Sequence, residues 1–191
     1  MMNDLYVEDH DYSGTDFSQD RLAKGDYENC SFLNCNFSNS DLSKINFSDC
    51  KFEECNFSLA NISNTAFRNA QFKNCKLLGL HFENCNPFLL AMEFNVCQLD
   101  LASFYKCSLK STSFINCNLH EVDFSEADLT SSIFENCDLQ GAIFENSVLE
   151  KVDFQTAYNF SIDPEINRIN KAKFSITGLA GLLGKYNIEI S

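Results

Sequence analysis

The residue type with the most chemistry to offer here is cysteine. The chain of 191 residues holds ten of them, and Cys30 with Cys35, then Cys50 with Cys55, stand five residues apart. Thiolates in such numbers ligate zinc, close disulfides or act as nucleophiles. The first residues, MMNDLYVEDHDYSGTDF, are acidic and lack the basic-then-apolar layout of a secretion signal. A cytoplasmic protein is therefore expected, and in that reducing setting metal binding or catalysis is a commoner use of cysteine than disulfides. The other reactive side chains do not join in. His10, His81 and His120 are scattered, and no phosphate loop, zinc-ligand spacing or pair of carboxylates accompanies them. No catalytic residue, metal site or cofactor is assigned, and an enzyme is not expected.

What positions the cysteines is a repeat of five residues. Every fifth residue from Phe17 to Phe82 is large and apolar, and from Phe94 to Phe154 the same beat alternates Phe and Leu without exception. The residue two before each is small, and nine of the ten cysteines fall there; Cys85 joins them if the first register continues past Phe82. A period of five suits neither a helix nor a flat strand. It suits a chain that turns a corner every five residues and closes a square coil in about twenty, stacked at roughly 4.8 Å per coil. The large and the small residue of each unit then point inward. Cys35, Cys55 and Cys75 make one column, Cys30 and Cys50 another, and Cys97, Cys117 and Cys137 a third. A column spreads ligands along an axis, whereas zinc needs four converging on a point. The parallel side-chain vectors of a column also fit a disulfide poorly. The cysteines are read as core.

This grammar resembles the pentapeptide repeat family, with ANISN (60–64), ADLTS (127–131), CDLQG (137–141), CNLHE (117–121) and CNFSL (55–59) close to its consensus. The resemblance covers about residues 15–156 and implies an all-β right-handed quadrilateral β-helix. The expected organisation is a lead-in over 1–16, about seven coils over 17–156 and roughly 35 Å of rod, and a cap with a short helix over 157–191.

One coil is two residues too long. Its register shift at 83–93 reads ENCNPFLLAMEF, and Phe88, Leu89, Leu90 and Met92 cannot all point inward. Pro87, Phe88, Leu89 and Leu90 form either a tolerated bulge or a recognition loop. In the cap, Asp163 before Pro164 reads as a helix start, Thr177 as the cap of a second short helix, and 187–190 as a final strand. Leu179, Leu182, Leu183, Ile188 and Ile190 serve there either to close the end or to form a two-fold dimer.

The formal charge is −13, which argues against direct binding to nucleic acid or an anionic membrane. No run is long and apolar enough for a membrane span. Between residues 121 and 150 stand Glu121, Asp123, Glu126, Asp128, Glu135, Asp138, Glu145 and Glu150 without one Lys or Arg. Such acids either solubilise the rod or imitate the charge density of a duplex. The DPEINRI segment, the apolar tail and the mid-chain shift resemble the subgroup that protects topoisomerases. That likeness implies a dimer joined at its C-termini, with DNA gyrase or a related topoisomerase as partner. The rival expectation is a scaffold for some other protein. The NFS triplets at 36, 46, 56 and 159 and NIS at 61 match glycosylation sites, but the first four follow from the repeat itself.

Overall fold

A computed structural model describes residues 5–186 and 188–189. The chain winds as a right-handed quadrilateral β-helix whose ladder hydrogen bonds run from each coil to the next, while short bonds three residues back, such as Ser40 N–H to Phe37 O and Ala60 N–H to Phe57 O, close the corners. One face is a nine-stranded parallel sheet built from Asp11–Ser13, Ser31–Leu33, Lys51–Glu53, Ala70–Lys73, Met92–Asn95, Ser113–Ile115, Ile133–Glu135, Asp153–Phe154 and Lys173–Phe174. The face before it in the chain is a four-stranded sheet of Leu5–Glu8, Gly25–Glu28, Asn46–Ser48 and Ala66–Arg68. Isolated parallel bridges such as Asn36↔Asn56 and Asp41↔Asn61 make the third and fourth faces. Nine rungs at about 4.8 Å give a rod of roughly 40 Å, longer than seven coils allow. The reason is that Val7 and Tyr12 already keep the beat before Phe17, while Ile169 and Phe174 keep it after Phe154; all four pack against the core. Residues 5–13 therefore belong to the ladder, paired at Leu5↔Gly25 and Tyr12↔Phe32.

The corners explain the period. At most corners the residue two after the central Phe or Leu sits at positive φ, as at Asn29, Asn34, Asn39, Asn69 and Asn74, the exceptions including Gln19, Lys24, Asn84 and Thr156. That conformation costs an ordinary L-residue roughly 1–2 kcal/mol, and Asn tolerates it best. Inside, the rings stack column by column. On the second face Phe94, Phe114, Phe134 and Phe154 lie nearly parallel, with successive centroids 5.1, 4.8 and 4.9 Å apart. On the fourth, Phe82, Phe104, Phe124 and Phe144 do the same at 4.5, 5.4 and 5.2 Å. Rings of the two columns meet edge to face, as between Phe114 and Phe124, a geometry that aligns positive ring edge with negative face.

The small slot does more than save space. Cys50 Sγ donates to Tyr27 O, Thr65 Oγ1 to Leu42 O, Ser132 Oγ to Leu109 O and Ser147 Oγ to Phe124 O, each reaching one coil back. Slot residues thus tie neighbouring coils with a donor that Ala lacks. Cys35, Cys55, Cys75, Cys97, Cys117 and Cys137 form one continuous column rather than two, because the ladder carries Lys76↔Gln98 straight across the register shift. All ten cysteines are free and buried.

The cap departs from expectation in three places. Asp163 and Pro164 open a turn, not a helix; Asp163 Oδ1 accepts the Glu165 N–H at 2.9 Å. The helix of Thr177–Leu182 is a 3-10 helix whose start is held by Ser175, whose Oγ accepts the Gly178 N–H, rather than by Thr177. Ile188 and Glu189 belong to no strand, and Asn187 and Ile190 lie outside the described residues. Gly181 is required where it is: its carbonyl accepts the Ile162 N–H, and a Cβ there would lie 2.7 Å from the Phe160 ring. Among the described residues no helix is long and apolar enough to cross a membrane.

Candidate functional site

Three surfaces stand out: the register shift, the acids of the C-terminal half, and the cap. The two extra residues emerge between Asn86 and Ala91. The Asn86 N–H bonds to Thr65 O and the Ala91 N–H to Phe67 O, so a step of five residues lies over a step of two in the coil below. The bulge is a compact turn in which Asn86 Oδ1 accepts the Phe88 N–H. Its tip exposes Phe88 (66 %) and Leu89 (63 %), while Leu90 and Met92 turn inward. The four-stranded sheet ends at Ala66–Arg68 because of it, and pairing on that face resumes only at Ser108↔Asp128. Under the bulge lies a cavity of about 450 Å³ between Phe82, Glu83, Cys85, Pro87, Leu90 and the next coil's Tyr105–Ser108. The sequence singled out the loop but not Glu83, Tyr105 or Cys107. The available signal was the spacing of Cys85 and Cys107, two residues wider than a coil.

The eight acids do not share one face. Asp128 and Glu150 lie on the first face, Glu135 on the second, Asp138 on the third, and Asp123 and Glu145 on the fourth, with Glu121 and Glu126 at the corners that lead into and out of it. Four have cationic or histidine neighbours. Glu126 faces Lys106 at 3.5 Å, Asp128 faces Lys110 at 3.1 Å, Asp138 faces His120 Nε2 at 3.0 Å and Glu150 faces Arg168 at 2.6 Å. Partial burial pushes the Asp138 carboxyl upward, but hydrogen bonds from His120 and Asn159 outweigh it and hold the group below the usual range. Asp128 is held low in the same way by Thr130 and Lys110. Glu121, Asp123, Glu135 and Glu145 form no ion pair among the described residues. The fold thus brings Glu121, Asp123, Glu126 and Glu145 together and sets Glu135 apart.

At the cap, Leu182 packs against the core and Leu183 is half-buried, whereas Leu179 (45 %), Ile188 and above all Ile176 (89 %) are exposed. Ile176 was not singled out from the sequence, because it precedes the leucines that mark the helix.

A profile of the pentapeptide repeat region matches residues 25–87 and 89–158, parting at Phe88 on the bulge. The chain belongs to the pentapeptide repeat family. Among solved pentapeptide repeat structures, a trypsin-treated form of QnrB1, a plasmid-mediated fluoroquinolone resistance protein, superposes with a TM-score of 0.59 at 21 % identity, covering 98 % of this chain and 100 % of that one. A second trypsin-treated QnrB1 gives 0.57 at 16 %, covering 98 % and 99 %. HetL, a pentapeptide repeat protein involved in heterocyst differentiation regulation from the cyanobacterium Nostoc sp. strain PCC 7120, gives 0.51 at 13 %, covering 90 % and 88 %. At such identities the likeness is one of fold. No curated protein matches the sequence.

Proposed function

We propose that this pentapeptide repeat protein is a non-enzymatic binding protein that presents its acidic fourth face to the basic DNA-binding groove of DNA gyrase or a related topoisomerase, protecting or modulating it against a drug or toxin. The observation that carries the reading is the gathering of Glu121, Asp123, Glu126 and Glu145 on adjoining coils, three of them without a cationic partner among the described residues. Glu121, Asp123 and Glu126 lie on one coil and Glu145 on the next, so at about 4.8 Å per coil this patch carries locally about one carboxylate per 2.4 Å of axis, against roughly one charge per 1.7 Å in a duplex when both strands are counted. Attraction of this kind speeds encounter and weakens with salt. The fold is shared with a plasmid-mediated fluoroquinolone resistance protein, which supports a protective role against such a drug. Two copies would join through the cap, with Ile176 and Leu179 at the contact; their exposure supports it.

The test is plasmid supercoiling by purified gyrase, titrated with this protein with and without a fluoroquinolone at two salt concentrations. Salt-sensitive inhibition, or rescue from the drug, is the expected result; no effect from the folded protein at tens of micromolar would reject it. The second reading, a scaffold for a different protein, is favoured by the exposure of Phe88 and Leu89. It predicts a partner lost on Phe88→Ser and indifferent to the acids.

A further inference from the structure

The cavity under the bulge has a chemistry of its own. Its walls are apolar, from Phe82, Pro87, Leu90 and Tyr105, and its floor is the pair of slot cysteines Cys85 and Cys107. Glu83 lies among them. One carboxylate oxygen, Oε1, is 2.9 Å from His81 Nδ1, while Oε2 is buried without a hydrogen-bond partner. Lys106 also borders the cavity, but its ammonium sits over the Tyr105 ring and toward Glu126. A buried carboxylate oxygen left without a donor is costly, and a polar group in an apolar recess of this size is the usual make-up of a ligand site. The proximity of Glu83 also shows in both thiols: burial first, then this carboxylate, pushes Cys107 up to about 12, while burial, then Cys107, then Glu83 push Cys85 upward.

We propose that this cavity binds a small apolar ammonium compound, its cation donating to Glu83 Oε2 and its hydrocarbon part packed against Phe82, Leu90 and Tyr105. A cation satisfies the orphaned oxygen, and a ring or short chain fills the space that the two extra residues open between coils. A neutral alcohol of the same shape would gain the packing without the charge-assisted bond. A carboxylate of that shape would meet Glu83 as a like charge.

The probe is phenethylammonium, followed by amide chemical shifts at neutral pH, with phenethyl alcohol and phenylacetate as its neutral and anionic counterparts. Saturable shifts at Leu90, Tyr105 and Ser108 are expected from the amine, at least about tenfold weaker ones from the alcohol, and none from the acid. Glu83→Gln should reduce the amine to the affinity of the alcohol without lowering thermal stability. Leu90→Trp should fill the cavity and remove both. Equal affinity of amine and alcohol, shifts centred elsewhere, or no saturation by about 10 mM would overturn the proposal. Should Glu83→Gln fail to fold, binding that survives in Leu90→Trp would overturn it equally.

Discussion

Phe72 stacks on Phe94, ring centroids 5.4 Å apart and planes 12° from parallel, across a stretch two residues longer than the one separating Phe52 from Phe72. The second face absorbs the insertion without a break; the first face does not. Deleting Phe88 and Leu89 should therefore restore pairing on the first face and leave thermal stability unchanged or higher. Lengthening a surface loop costs little by itself, so the gain would come from the rejoined ladder. A melt followed by circular dichroism checks this, and a fall of many degrees would show that the bulge supports the core.

Phe114 stacks against Phe94 below and Phe134 above and is fully buried. Phe114→Ala should cost roughly 3–5 kcal/mol, read as a shift of the urea midpoint. Phe174, in the last rung and half-buried, should cost clearly less.

The thiols give the fold a pH dependence. Burial raises Cys50 and Cys107 to about 12, from an ordinary value of 9.0. For an acid whose folded value is raised, the stabilisation is complete below the unfolded value and lost as pH rises toward the folded one. The urea midpoint should thus hold steady up to about pH 8 and fall between about 9 and 12. A thiol reagent at pH 8 should titrate almost none of the ten cysteines until the protein unfolds. Rapid reaction of several in the native state would contradict their burial.

Neutralising Glu121, Asp123 and Glu145 together should lower the association rate with the proposed basic partner by about tenfold at low salt, with stability changed by less than about 0.5 kcal/mol. Glu135→Gln, on another face, should do neither. Equal effects of the two changes, measured by stopped-flow binding, would reject a one-sided acidic contact.

In the proposed dimer, Ile176→Asp should yield a folded monomer by light scattering, since Ile176 touches solvent over most of its surface. Leu182→Asp should instead loosen the cap, because Leu182 packs on the core. A dimer persisting in Ile176→Asp would exclude that contact.

The coil was legible in the sequence because each rung uses the same local rule: one large and one small residue inward, then a corner. That rule needs no long-range information, so it located the Phe columns, assigned the cysteines to the core and placed the register shift. It stopped short where residues obey the beat without looking typical, as with Val7, Tyr12 and Ile169 at the ends. It also missed part of the cap, where Asp163 and Pro164 carry the signal for a helix but open a turn, and where the short helix from Thr177 is 3-10 and is held at its start by Ser175.

What the sequence alone determined, then, is the winding of this chain, since a period of five specifies inside and outside one residue at a time. Which outward residues share a face was decided by the tertiary structure. Acids evenly spread along the chain, such as Glu135 and Glu145, land on different sides of the rod because five residues make a quarter turn. Only the stacked coils show that Glu121, Asp123, Glu126 and Glu145 gather, and that two surplus residues open a cavity around Glu83.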